Sequence, residues 1–130
     1  NFWHALCLWC YMLTQTIAEK IGHDWVEKWN QQQLHEYSLL YEENAEETST
    51  IANRLIQISH GTIRGKDILI PYWQFFRTRF PDYQFKFLHS NIYQDSILIY
   101  FTIDALNSPA IAKIDLNEEM KIQRVMISHV

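Results

Sequence analysis

The sequence predicts an α+β domain, with helices in the first half and an antiparallel meander in the second. Three observations carry this. Apolar residues recur at helical spacing from Thr14 to about residue 42. Apolar and polar residues alternate from Gln84 to the end. Between them, Gly61-Thr62-Ile63-Arg64-Gly65 marks a turn, and one more amphipathic segment follows it up to Phe80-Pro81.

The first element is a helix over Thr14–Gln31. Ile17, Ile21, Trp25 and Trp29 fall four apart and line one of its faces. Gly22 interrupts that face at a cost of roughly 1 kcal/mol relative to alanine. Asp24 with Glu27 three residues on resembles a capping box, which would break or restart the helix there. A second helix is expected from Leu34 to Glu42, with Leu34, Tyr37 and Tyr41 on its inner face. Thr48 to Ile51 favours strand or turn. Leu55, Ile56 and Ile58 predict a short strand ending at His60-Gly61. The next helix starts at Lys66 to Ile68 and presents Ile68, Leu69, Tyr72, Trp73 and Phe76. It tolerates Pro71 near its start and closes before Pro81.

Four strands complete the chain: Gln84–Ile92, Ser96–Asp104, Ala110–Leu116 and Lys121–Val130. Asn107-Ser108-Pro109 and Asn117-Glu118-Glu119-Met120 are turns between them. Short turns make successive strands antiparallel.

Composition narrows the function. The 130 residues suit a single domain. An aromatic share of 15% suits a deep core or an aromatic-lined cavity, because rings supply large apolar area with few rotatable bonds. A net charge of -4 without a Lys/Arg cluster excludes a nucleic-acid interface. Cys7 and Cys10 lack the further ligands of a zinc site, and neither metal nor cofactor is expected. Phe2 to Leu13 is very apolar but too short to span a bilayer. It also lacks the basic flank and small-residue cleavage site of a signal peptide. Residues 1–13 are expected to be a helical aromatic extension, and residues 14–130 the domain. A cytoplasmic location is expected, with export left open by the apolar start.

Five segments in order resemble the nuclear transport factor 2-like superfamily, and within it the SnoaL-like small proteins. They are Trp25-Val26-Glu27-Lys28-Trp29-Asn30; Leu39-Leu40-Tyr41-Glu42-Glu43-Asn44-Ala45; Gly61 to Asp67 with Tyr72-Trp73; Phe80-Pro81-Asp82-Tyr83-Gln84-Phe85; and Ile114-Asp115-Leu116-Asn117 with Lys121-Ile122. The resemblance covers about residues 14–130. It implies a cone, a strongly curved antiparallel sheet wrapped round about three helices, cystatin-like, enclosing an apolar pocket. It also implies either ligand binding with acid/base chemistry or a non-catalytic assembly module. In the ketosteroid isomerases of that superfamily a base aspartate and an oxyanion-donor tyrosine stand where this chain has Ser49 and Trp25. Serine is no carboxylate base and an indole only donates, so the isomerase activity of the usual type is not expected.

The candidate catalytic residues are His89 and Tyr100. His89 alternates with Phe85 and Phe87, and its imidazole titrates near neutrality. Tyr100 shares a strand face with Thr102 and Asp104. Trp25, Trp29, Tyr41, Ser49, Tyr72, Phe76, Phe87, Thr102 and His129 are the expected pocket lining. Asp104 reads as a solvated strand end and His60 as a turn residue. The run Glu42, Glu43, Glu46 and Glu47 reads as a solvated acidic face. The expected partners are a small apolar ligand and a second copy of the chain, paired through the outer face of the sheet.

Overall fold

The computed structural model describes residues 13–56 and 61–130. The expectations for the apolar N-terminal segment, including Cys7 and Cys10, and for Ile58 and His60 lie outside the described residues. Among the described residues no helix is long and apolar enough to cross a membrane.

Helix α1 spans Gln15–Asn30 without a break. Thr14 caps it, its hydroxyl accepting the Ile17 N–H at 3.2 Å. Its buried stripe is Ala18, Gly22, Trp25, Val26 and Trp29. Gly22 belongs to that stripe because the helix lies directly on the sheet there. A Cβ at this position would stand 2.0 Å from Ser90 Oγ and 2.9 Å from Phe87. The short helix α2 covers Leu34–Ser38.

Two local expectations are corrected. The helix predicted to run to Glu42 stops at Ser38, and strand β1 occupies Tyr41–Ser49. This segment is rich in glutamate, a poor strand former, yet its backbone is claimed from both sides. It pairs antiparallel with β2 (Thr62–Arg64) and parallel with β6 (Ile122–His129). Tertiary pairing thus overrides propensity. The strand predicted around Leu55 is instead helix α3, Thr50–Leu55. Ser49 nucleates it by accepting the Ala52 N–H at 3.0 Å.

Gly65 opens the next helix, α4 (Lys66–Arg79), with φ +91, a conformation other side chains resist. Its N–H bonds the Ala45 carbonyl at 2.8 Å, tying the turn to β1. Pro71 sits inside α4 without ending it.

The remaining strands are β3 (Phe85–Tyr93), β4 (Ser96–Ile103) and β5 (Ser108–Leu116), followed by β6. The six strands form one sheet in the order β2-β1-β6-β5-β4-β3. It is mixed, because β1 and β6 run parallel while every other pairing is antiparallel. It curls round the helices and leaves β2 and β3 as edges. Register shifts between Tyr41 and Glu46, between Phe87 and His89 and between Asp115 and Leu116 supply the bending expected of bulges.

The inner face carries Ile97, Ile99, Phe101 and Ile103 from β4, Ala110, Ala112 and Ile114 from β5, and Ile122, Val125 and Ile127 from β6. Polar side chains fasten the helices to it. The Asn30 side chain receives the Phe85 N–H at 2.8 Å and donates to the Phe85 carbonyl at 2.7 Å, standing in for a strand neighbour. Trp29 Nε1 and Arg77 Nη1 both donate to the Tyr83 carbonyl at 2.8 Å.

Gly22→Ala should therefore destabilise, although alanine is the better helix former. The expected loss in urea unfolding is about 1–3 kcal/mol, the usual range for overpacking. An unchanged or raised midpoint would show that α1 does not seat so closely on Ser90 and Phe87.

Candidate functional site

Strand alternation sends Ala45, Glu47 and Ser49 of β1 inward and Glu46 and Thr48 outward. Adjacent glutamates therefore meet opposite surroundings. Glu46 faces out and pairs with Arg64 Nη2 at 2.6 Å and Arg124 Nε at 3.6 Å. Glu47 is 5% exposed and has no cationic partner among the described residues. The solvated acidic face expected of this run is thus corrected at Glu47.

The Glu47 carboxyl is held by two aromatic donors. Trp73 Nε1 donates to Oε2 at 3.1 Å, and the Tyr41 hydroxyl donates to Oε1 at 3.4 Å. Tyr41 in turn accepts Trp25 Nε1 at 2.9 Å and lies 2.7 Å from the Tyr37 hydroxyl. All four rings are buried. Burial pushes the Glu47 carboxyl up from 4.5 to about 7, because two hydrogen bonds only partly replace lost hydration. Tyr37 and Tyr41 are raised well above the usual phenol range, first by burial, then at Tyr37 by the neighbouring Tyr41 and Glu47 and at Tyr41 by Glu47. Tyr72 and Tyr83 are raised by burial and then by Glu47. All four phenols stay protonated at neutral pH, which leaves the carboxyl as the group that titrates there.

Glu47 opens on an internal cavity of about 20 Å³, room for a single water. Its wall is aromatic: Trp29 and Tyr37 from the first helices, Tyr72, Trp73 and Phe76 from α4, Tyr83 just before β3 and Phe85 at its start. Ser49, Ala52 and Ile127 complete it. Tyr72 is the wall residue that is half-exposed, and so marks where the cavity comes nearest to solvent.

The expected lining residues divide into three groups. Trp29, Ser49, Tyr72 and Phe76 line the cavity. Trp25 and Tyr41 stand one layer behind it, in the hydrogen-bond chain to Glu47. Phe87, Thr102 and His129 lie elsewhere. Phe87 packs edge-on against His23 of α1, and Thr102 takes the outer face of β4. His129 is exposed, with Nδ1 3.2 Å from the Ser108 hydroxyl.

His89 and Tyr100 do not reach the cavity. His89 is exposed and stacks on Tyr100, ring centroids 4.4 Å apart, on the outer side of the sheet. The cause is the register shift between Phe87 and His89. Leu88 is the extra residue there, so Phe85 and Ser90 point inward while His89 points out. Asp104 is likewise exposed, in a short 3₁₀ turn.

Glu47, Trp73, Tyr37 and Tyr83 were missed by sequence reasoning. One signal could have found Glu47: in an extended Tyr41–Ser49 it shares a face with Ala45 and Ser49.

The architecture is that of the SnoaL-like, nuclear transport factor 2-like proteins. A SnoaL-like protein of unknown function from Burkholderia thailandensis superposes with a TM-score of 0.81 at 19% identity, covering 91% of this chain and 98% of that one. A de novo designed protein with a curved β-sheet matches with a TM-score of 0.67 at 11% identity, covering 91% and 88%. SalBIII, an epoxide hydrolase/cyclase-like enzyme of pyran ring formation in the polyether salinomycin, matches at 0.64 and 14% identity, covering 92% and 95%. At such identities these likenesses establish the fold. No protein-family model and no curated sequence matches the chain.

The raised carboxyl has a stability consequence. Between pH 4.5 and about 7 folded Glu47 keeps a proton that the unfolded chain has released. Stability therefore falls as pH rises through that window and then levels off, by up to about 3 kcal/mol. Glu47→Gln should remove this slope and be the more stable protein at pH 8. Urea titrations of both proteins at pH 5 and pH 8 test this, and equal slopes would place the Glu47 charge in contact with water.

Proposed function

We propose that this chain binds a small apolar molecule in its aromatic interior and uses Glu47 to take up and release a proton on it. The observation that carries the reading is the buried Glu47 carboxyl, titrating near neutrality against an aromatic cavity. A base poised near the working pH combines a useful ionised fraction with adequate proton affinity. Strongly perturbed groups in cavities are candidates for chemistry on that ground. Glu47 lies two residues before Ser49 on the same strand face, so the strand presents a carboxylate to the interior even though Ser49 itself is none.

The ligand would be neutral, because the wall offers no cation among the described residues, and rich in apolar surface. The cavity has room for only a water, so a larger guest enters by displacing wall side chains, with Tyr72 the least buried of them. The chemistry supported is proton transfer at carbon or oxygen, of the isomerase, cyclase or dehydratase type. SalBIII, which shares the architecture, is an epoxide hydrolase/cyclase-like enzyme.

Hydrogen exchange on a simple enolisable ketone tests this directly. Cyclohexanone in D2O should lose its α-protons faster with the protein than in buffer, with the rate rising toward a plateau above pH 7. Glu47→Gln should abolish the acceleration. Exchange at the buffer rate, or unchanged exchange in the variant, would sink the assignment.

A second reading is a non-catalytic module that pairs through the outer face of the sheet. On that face Tyr100 pairs with Ile111, Leu98 and Met126 flank Lys113, and Met126 is 52% exposed. Light scattering should then give twice the protomer mass, and Met126→Glu should return it to one. A single-protomer mass for the unaltered protein decides against this reading.

A further inference from the structure

Tyr41 stands between two groups of the cavity wall, Glu47 and Tyr37. Its hydroxyl has one proton and two lone pairs. Trp25 Nε1 can only donate, and it takes one lone pair at 2.9 Å. Tyr37 and Glu47 must share what remains, one lone pair and one proton. Two arrangements satisfy this. With Glu47 charged, Tyr37 donates to Tyr41 and Tyr41 donates to the carboxylate. With Glu47 protonated on Oε1, Glu47 donates to Tyr41 and Tyr41 donates to Tyr37. The Tyr37 proton is then released from the chain and turned toward the cavity that Tyr37 lines.

We propose that Tyr41 couples the protonation of Glu47 to the direction of the Tyr37 hydroxyl, so that Tyr37 is the proton donor that answers Glu47. This rests on the reading of Glu47 as the proton-transfer group. Tyr41 is a positioning residue, since it does not line the cavity. The step balances without a co-reactant. Glu47 takes a proton from one ligand atom, and the bonding pair stays on the ligand and moves toward an acceptor atom. Tyr37 gives its proton to that atom. The Tyr41 proton then passes to the Tyr37 oxygen, and the Glu47 proton passes to the Tyr41 oxygen. The ligand proton has changed place and every residue has returned to its starting state.

The surroundings leave this chain undisturbed. The other titratable groups of the wall are Tyr72 from α4 and Tyr83 before β3, both held protonated by burial and by the Glu47 charge. Helix α3 and β6 contribute Ala52 and Ile127, which do not titrate. Trp25 and Trp73 only donate.

The test is the titration of Glu47 in protein labelled with ¹³C at the glutamate carboxyl, assigned with Glu47→Gln. Reversal of the chain predicts that Tyr37→Phe lowers the midpoint, because the protonated arrangement loses the acceptor at its end. A chain fixed in one direction predicts a rise, because Tyr41 becomes a poorer donor to the carboxylate without Tyr37 behind it. A rise or no movement overturns the proposal. Tyr41→Phe should raise the midpoint, and adding Tyr37→Phe to it should then have no further effect. If Tyr37→Phe does not fold, unaltered protein labelled at tyrosine ¹³Cζ serves: the Tyr37 signal should follow the Glu47 titration, and a signal fixed across it overturns the coupling. An unaltered midpoint at the ordinary 4.5 would sink the proton-transfer reading itself. A near-neutral midpoint with the wrong response to Tyr37→Phe sinks only the coupling.

Discussion

The carboxyl of Glu47 is buried away from bulk water, and much of the surrounding structure follows from that constraint. An isolated buried carboxylate costs far more than a domain's net stability, so the group must neutralise, find donors, or both. Here it does both. Trp73 comes from α4, Tyr41 from β1 itself, and Trp25 and Tyr37 reach Tyr41 from α1 and α2. Two elements thus donate to the carboxyl directly, and two more support it through Tyr41. The indoles and phenols bring apolar area and a polar edge together, which lets the same side chains build the core and solvate the carboxyl.

The scaffold that permits this is the curled sheet. Alternation along β4, β5 and β6 supplies an unbroken apolar inner face. Glu47 joins that face only because β1 is inserted beside β6, in parallel, rather than continuing the preceding helix. The helices are held against the face by a few directed bonds, chiefly the Asn30 clip to Phe85 and the two donors that meet at the Tyr83 carbonyl. These bonds fix where Trp29, Tyr83 and Phe85 stand, and those three residues form one side of the cavity. A designed protein with a curved sheet shares the architecture, which shows how much of it is a matter of curvature and layer packing and how little it says about chemistry.

The fold was largely legible in the sequence, because its signals are local and repetitive. The helical stripe through Trp25 and Trp29, the glycine turn before α4 and the alternation of β4 to β6 are all period signals. The misreadings fall where long-range pairing decides. Tyr41–Ser49 carries four glutamates and no strand pattern strong enough to announce itself, yet two neighbours claim its backbone. The site suffered most from this. Once Leu34–Glu42 reads as helix, Glu47 belongs to a charged run, and its inward register cannot be seen. His89 fails for the complementary reason. The alternation was read correctly from Phe85, but one inserted residue at Leu88 reverses it, and a bulge leaves no mark in residue type.

By itself the sequence determined the α+β class, the first helix, the helix after the glycine turn, the strands that follow it and the aromatic character of the interior. Those properties follow from composition and from the spacing of apolar residues along the chain. Only the tertiary structure decided which acidic residue is buried, which hydroxyls reach it and which histidine is left outside. Each of these depends on strand register and on side chains far apart in sequence, such as Glu47 and Trp73, meeting at one point. A change of one residue in register exchanges the inside and outside of a strand. The chemistry of this chain is therefore set by the sheet's register, and its architecture by the pattern that the sequence shows openly.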